Sequence, residues 1–166
     1  MKITLYFFIT FSFVVASPAV AQQDSTNNEK TMGLAERRIL KSFQETTFPE
    51  LTEQIDQVAG TKLDYAVNWN QLAEAGSSHL YNESWPQIYF EPLVKALKGV
   101  TVDDMGKEAV QRGLKKVVIR NQEGCYSPDC WANFTDGTLT LDHQLANVGD
   151  VNARAAALQE VLEKGL

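Results

Sequence analysis

The sequence predicts an α+β fold, with a small antiparallel sheet of about four strands and helices packed mainly on one face. Three observations carry this. Residues 62–69 alternate strictly, with Leu63, Tyr65, Val67 and Trp69 on one side and Lys62, Asp64 and Asn68 on the other, the signature of a half-buried strand. Stretches with helical spacing precede and follow that strand. Helices and a hairpin are grouped rather than strictly alternated, which favours α+β over a wound parallel sheet.

The elements follow in order. Residues 1–21 read as a cleavable export signal. Lys2 provides the positive start, residues 3–15 an apolar run, Ser17-Pro18 a helix break, and Ala19-Val20-Ala21 the small-x-small pattern a signal peptidase requires. The apolar run is short for a membrane span of about 20 residues, and no later segment is long and apolar enough to be one. Residues 22–32 are polar and read as a flexible leader. Residues 33–166 are expected to form one α+β domain, a size that sustains its own core.

Residues 33–60 carry Leu40, Phe43, Phe48, Leu51, Ile55 and Val58 at three- to five-residue steps, one apolar helical face. Pro49 interrupts it. Thr47 followed by Glu50 resembles a capping box, so two helices and one kinked helix both fit. Gly60 is a natural stop. After the first strand, residues 71–86 are polar and aromatic without clear periodicity. Residues 87–98 return to helical spacing, with Pro92 expected in the first turn. A further helix spans 102–112, its Asp103 and Asp104 at the positive end of the helix dipole. Residues 116–120 contain Val117, Val118 and Ile119, a short strand. Residues 131–135 and 138–142 flank Asp136-Gly137, a dipeptide suited to a type I′ hairpin turn. Asp150 caps a last helix over 151–164.

Composition bounds the function. The chain of 166 residues carries a net charge of −6, and Lys2 is the only charge in the expected signal, so the exported part is more acidic still. That balance argues against nucleic acid and anionic lipid as partners. The two cysteines, Cys125 and Cys130, lie close together with Pro128 and Asp129 between them, and an oxidising compartment would bridge them. Their spacing is unlike a thioredoxin centre, and no second pair or flanking His suggests a metal.

No catalytic constellation emerges. His79 and His143 each lack the second His a metal site requires. Ser77 and Ser78 lie beside His79 without a nucleophile elbow. Single glycines at element ends exclude a phosphate-cradling loop. No metal, cofactor or catalytic residue is therefore expected, and the pattern favours a non-enzymatic role. The most suggestive segment is 76–89, which gathers His79, Tyr81, Asn82 and Trp85. Long connections often carry function, and Trp and Tyr anchor interfaces. The opposite expectation is that Tyr81 and Trp85 cover the core, as large aromatics usually do. Tyr126, inside the cysteine loop, marks a second candidate surface.

The reading is an exported binding protein, periplasmic or secreted, whose partner is a protein or small ligand outside the cytoplasm. One special case is an acidic periplasmic inhibitor or immunity protein acting on a basic enzyme. The competing readings are a small secreted hydrolase using His79 or His143 and a structural envelope component.

Overall fold

A computed structural model describes residues 32–166. The export signal over 1–21 and the leader over 22–31 lie outside the described residues. Met32, at the end of the expected leader, packs half-buried against the core.

The first helical stretch is one rod with a defect. Helix α1 (Leu34–Ser42) passes through a π-turn (Phe43–Thr47) into α2 (Phe48–Ala59). Thr47 adopts helical angles and makes no side-chain cap, so the capping box expected there is absent. Pro49 explains the defect. It has no N–H to donate, and its ring presses on the carbonyl four residues back. Widening the preceding turn, with Phe48 N–H bonding the Phe43 carbonyl, lets the rod continue. Gly60 ends α2 at φ 66°, a left-handed conformation that glycine adopts without steric cost.

The strands are β1 (Asp64–Val67), β2 (Lys116–Arg120), β3 (Ala132–Thr135) and β4 (Thr138–Asp142), in the spatial order β1-β2-β4-β3. Only β3–β4 is antiparallel. The β1–β2 and β2–β4 pairs are parallel, which corrects the expectation of an antiparallel sheet. The reason lies in the connections. A helical excursion carries the chain from the end of β1 back to the start of β2, which forces a parallel pair. The loop after β2 stays at one end of the sheet, skips a strand position and enters β3. The hairpin then returns β4 alongside β2. Asp136 at φ 48° and Gly137 at φ 77° provide the two positive angles of a type I′ turn.

Residues 71–86 differ most from expectation. The stretch without periodicity is largely helical: α3 (Trp69–Leu72), a 3₁₀ turn (Ser78–Leu80) and α4 (Tyr81–Trp85) lead through a second π-turn (Pro86–Phe90) into α5 (Glu91–Val100), the helix expected over 87–98. The defect repeats, with Pro92 standing two residues past the π-turn as Pro49 does past the first. Helix α6 (Asp104–Gly113) and the last helix, α7 (Val151–Gly165), complete the layer.

Val117, Ile119, Leu139 and Leu141 are buried on one sheet face, beneath the helices. The other face carries Asp64, Lys116, Thr138 and Thr140 and is open. An aromatic cluster joins the two π-turn rods. Phe43 meets Trp85 edge-on at 5.0 Å, Phe48 meets Trp69 at 5.2 Å, and Tyr81 stacks on Trp85 at 4.1 Å. Among the described residues no helix is long and apolar enough to cross a membrane.

Cys125 and Cys130 are bridged. The closed loop is short, so the bridge contributes about 2 kcal/mol in the chain-entropy model. The double substitution Cys125→Ser/Cys130→Ser is expected to lower unfolding free energy by about that amount while far-UV circular dichroism stays unchanged. Urea titration checks this.

Candidate functional site

The parallel strands all end on the same side of the sheet. Gathered there are Asn68–Gln71 after β1, residues 121–131 after β2, and His143 and Gln144 after β4. In open sheets with parallel strands, ligands bind outside the carboxyl ends. A cleft of about 630 Å³ lies at this edge. It is lined by Leu40 and Gln44 from the first rod, Ala66 and Val67 of β1, Asn68–Gln71, Val118 and Arg120 of β2, and Gln122.

Its chemistry is carboxamide. Gln44, Asn70, Gln71 and Gln122 line it, and no side-chain amide of the four forms a hydrogen bond with another described residue. Gln71 Oε1 is buried and unpartnered. Asn68 is spent differently, its Oδ1 accepting from the Gln71 N–H at 3.3 Å to start α3. A buried acceptor without a donor costs about 1–3 kcal/mol, and a bound group that donates to it recovers that loss.

Arg120 is the cationic member. Its Nε donates to Asp142 Oδ2 at 2.7 Å, and its terminal nitrogens have no hydrogen-bond partner among the described residues. Asp142 is nearly buried, and its Oδ1 also accepts from the N–H groups of Gln122 (2.9 Å) and Glu123 (3.1 Å). The carboxylate thus pins the start of the disulfide loop to β4 and fixes the Arg120 side chain. Arg120 also borders a smaller hollow of about 200 Å³ that includes Cys130, Trp131 and Asn133. The rim is braced further. The Cys125 carbonyl accepts from Gln144 N–H at 2.8 Å, and the Tyr126 carbonyl accepts from Asn147 Nδ2.

The five residues singled out from the sequence do not share one surface, although Tyr81 and Trp85 stack on each other. Tyr81 and Trp85 are 0% and 1% exposed and belong to the core. The Tyr81 hydroxyl donates to the Glu74 carbonyl at 2.9 Å and accepts from the Glu74 N–H at 2.8 Å, closing the turn before the 3₁₀ segment. His79 and Asn82 are exposed on the outer side of that segment and α4. Tyr126 is exposed on the disulfide loop, without a ring contact to the other four. The cleft residues were missed. The available signal was Asn68-Trp69-Asn70-Gln71, three carboxamides set immediately after a clean strand.

His143 is wholly buried beneath the rim, edge-on to Trp131 at 6.3 Å. Its Nδ1 lies 2.6 Å from the Gln144 carbonyl, which can only accept, so Nδ1 carries the proton. Nε2 is buried and meets hydrogen-bond geometry with no described residue. Burial lowers the imidazole pKa below 6.5, the Arg154 charge adding to the shift and the Gln144 and Tyr126 carbonyls opposing it. The unfolded chain therefore binds a proton that the folded chain refuses. Stability is complete above the unfolded pKa of about 6.5 and falls below it, by up to about 1.4 kcal/mol per pH unit. Urea midpoints measured from pH 7.5 to 5.5 are expected to show this slope, and His143→Asn, which retains a donor for the Gln144 carbonyl, to flatten it. Among the described residues no carboxylate or hydroxyl side chain hydrogen-bonds either His ring, and no three His, Cys, Asp or Glu side chains gather as a metal site requires.

On the far side, α5, α6 and the end of α7 enclose an apolar hollow of about 400 Å³, with Val102 and Met105 each 79% exposed beside it. No protein-family model, curated protein or solved structure matches the chain.

Proposed function

We propose that the protein is an exported, non-catalytic binding protein that takes its ligand in the cleft at the carboxyl ends of β1 and β2. The observation that carries this reading is the set of four cleft carboxamides without internal partners, one of them with a buried, unpaired oxygen. Buried polar groups are normally satisfied, and a cleft of this volume lies in the range of ligand sites. The Asp142-pinned, disulfide-closed rim supports it too, since a rigid rim loses little entropy on binding. Export rests on the amino-terminal pattern, and the disulfide is compatible with it.

The test is a fragment screen by amide chemical shifts on the oxidised protein. Ligands are expected to shift the amides of Asn68–Gln71 and Arg120–Gln122. The Asn70→Ala/Gln122→Ala double variant removes two exposed side chains without internal bonds, so it is expected to weaken binding about tenfold or more, roughly 1.4 kcal/mol, at unchanged melting temperature. Hits that all map elsewhere would refute the reading.

A further inference from the structure

β1 is an edge strand. Its pairing with β2 uses alternate residues. Asp64 N–H bonds the Lys115 carbonyl and Asn68 N–H bonds the Ile119 carbonyl, in a register that opposes Ala66 to Val118. Residues 64, 66 and 68 therefore face β2. The N–H and C=O groups of Tyr65 and Val67 point the other way, and no described residue pairs with them.

The cleft lies along this same edge. It touches Gln44 in the helical layer and Val118 and Arg120 on the open face, so it passes around β1. A strand-shaped ligand there would meet an unpaired ladder on one side and carboxamides around it. The charge of the lining fixes the kind of ligand. Among the described lining residues Arg120 alone is charged; Asp142 balances it through Nε, and its terminal nitrogens are left to donate to ligand carbonyls. The lining thus offers hydrogen bonds rather than net charge, which suits main-chain amides. Carboxamides match these, offering both donor and acceptor. A second copy of the chain is disfavoured by the net charge of −6 that each copy carries.

We infer that the free edge of β1 accepts an extended, uncharged peptide segment of another protein as an added strand, with Tyr65 and Val67 supplying the ladder and Gln71 Oε1 accepting one of its N–H groups. The inference rests on the cleft being the binding site and adds the class of ligand. Strand addition draws its affinity from main-chain bonds, which is why alternate ligand amides matter and the rest do not.

A displayed library of random dodecapeptides panned on the oxidised protein supplies the probe. The best-enriched peptide is then titrated into ¹⁵N-labelled protein. Expected are shifts and slowed hydrogen exchange at Tyr65 and Val67. N-methylation of alternate peptide amides is expected to weaken binding about tenfold in one register and to leave it unchanged in the other. Val67→Pro removes an outward N–H that the sheet does not use, a position where proline is tolerated, and is expected to abolish binding. Should that variant fail to fold, the N-methyl series decides alone. Binding that shifts Asn70 and Gln122 but leaves Tyr65 and Val67 exchanging freely overturns strand addition while the cleft reading stands. Failure to enrich any peptide overturns it as well. Protection of Tyr65 and Val67 through concentration-dependent dimerisation, without peptide, assigns the edge to a second copy and overturns it too. Binding at Val102 and Met105 overturns both readings.

Discussion

Trp85→Ala is expected to destabilise the protein by about 3–5 kcal/mol, the range for removing a large aromatic from a well-packed core. The side chain is 1% exposed, stacks on Tyr81 and receives Phe43 edge-on. Tilted contact with Trp69 at 5.7 Å links it to the residues that open the cleft. The substitution therefore removes the point where both π-turn rods meet. Domains of this size have total stabilities of about 5–15 kcal/mol, so the loss is a large fraction. The check is thermal unfolding, with an expected fall of about 10–20 °C. A fall below about 3 °C would mean that the cluster does not hold the rods together.

Arg154→Ala is expected to cost a similar amount, about 3–5 kcal/mol, by a different route. Arg154 is 0% exposed in α7. Its terminal nitrogens donate to the carbonyls of Asn147 (2.9 Å), Val148 (2.8 Å) and Gln87 (3.3 Å). Among the described residues it makes no carboxylate ion pair, so its work is to satisfy backbone. One residue thus ties the segment after β4 to the π-turn ahead of α5. Removing it takes a donor from all three carbonyls, of which Asn147 keeps the Asp150 N–H at 3.0 Å. The Tyr89 hydroxyl, which donates to the His143 carbonyl nearby, depends on the same arrangement. Arg154→Lys is expected to recover little, because one ammonium cannot span the fork a guanidinium reaches. Urea titration of both variants tests this, and a lysine variant as stable as the parent would contradict it.

Much of the fold was legible because its signals are local. β2 and β4 follow from β-branched and alternating residues, and the hairpin from Asp136-Gly137, whose backbone angles few other pairs tolerate. Strand direction was not legible. A period of two reads the same both ways, and the parallel pairs arise from where the connections deliver the chain. The helices over 78–90 were hidden by Gly76, Ser77 and Pro86, which break any window used to detect periodicity. Tyr81, Trp85 and Ile88 do recur at steps of four and three, and all three are buried. Tyr81 and Trp85, which suggested a surface, anchor the short α4 in the core, while Tyr126 is exposed. The cleft depends on residues from α1, the first π-turn, β1 and β2, a convergence that follows only from the parallel β1–β2 pair.

That convergence places ligand capture at the cleft, and a photo-crosslinking amino acid set, one position at a time, at Asn70, Gln122, Tyr126 and Met105 in the host tests it. Asn70 and Gln122 border the cleft, Tyr126 stands on the rim loop, and Met105 marks the opposite apolar hollow. One discrete adduct is expected, shared by positions 70 and 122 and absent at 105, mapping to an extended segment of the captured protein. Adducts at 105 with none at 70 or 122 would contradict it.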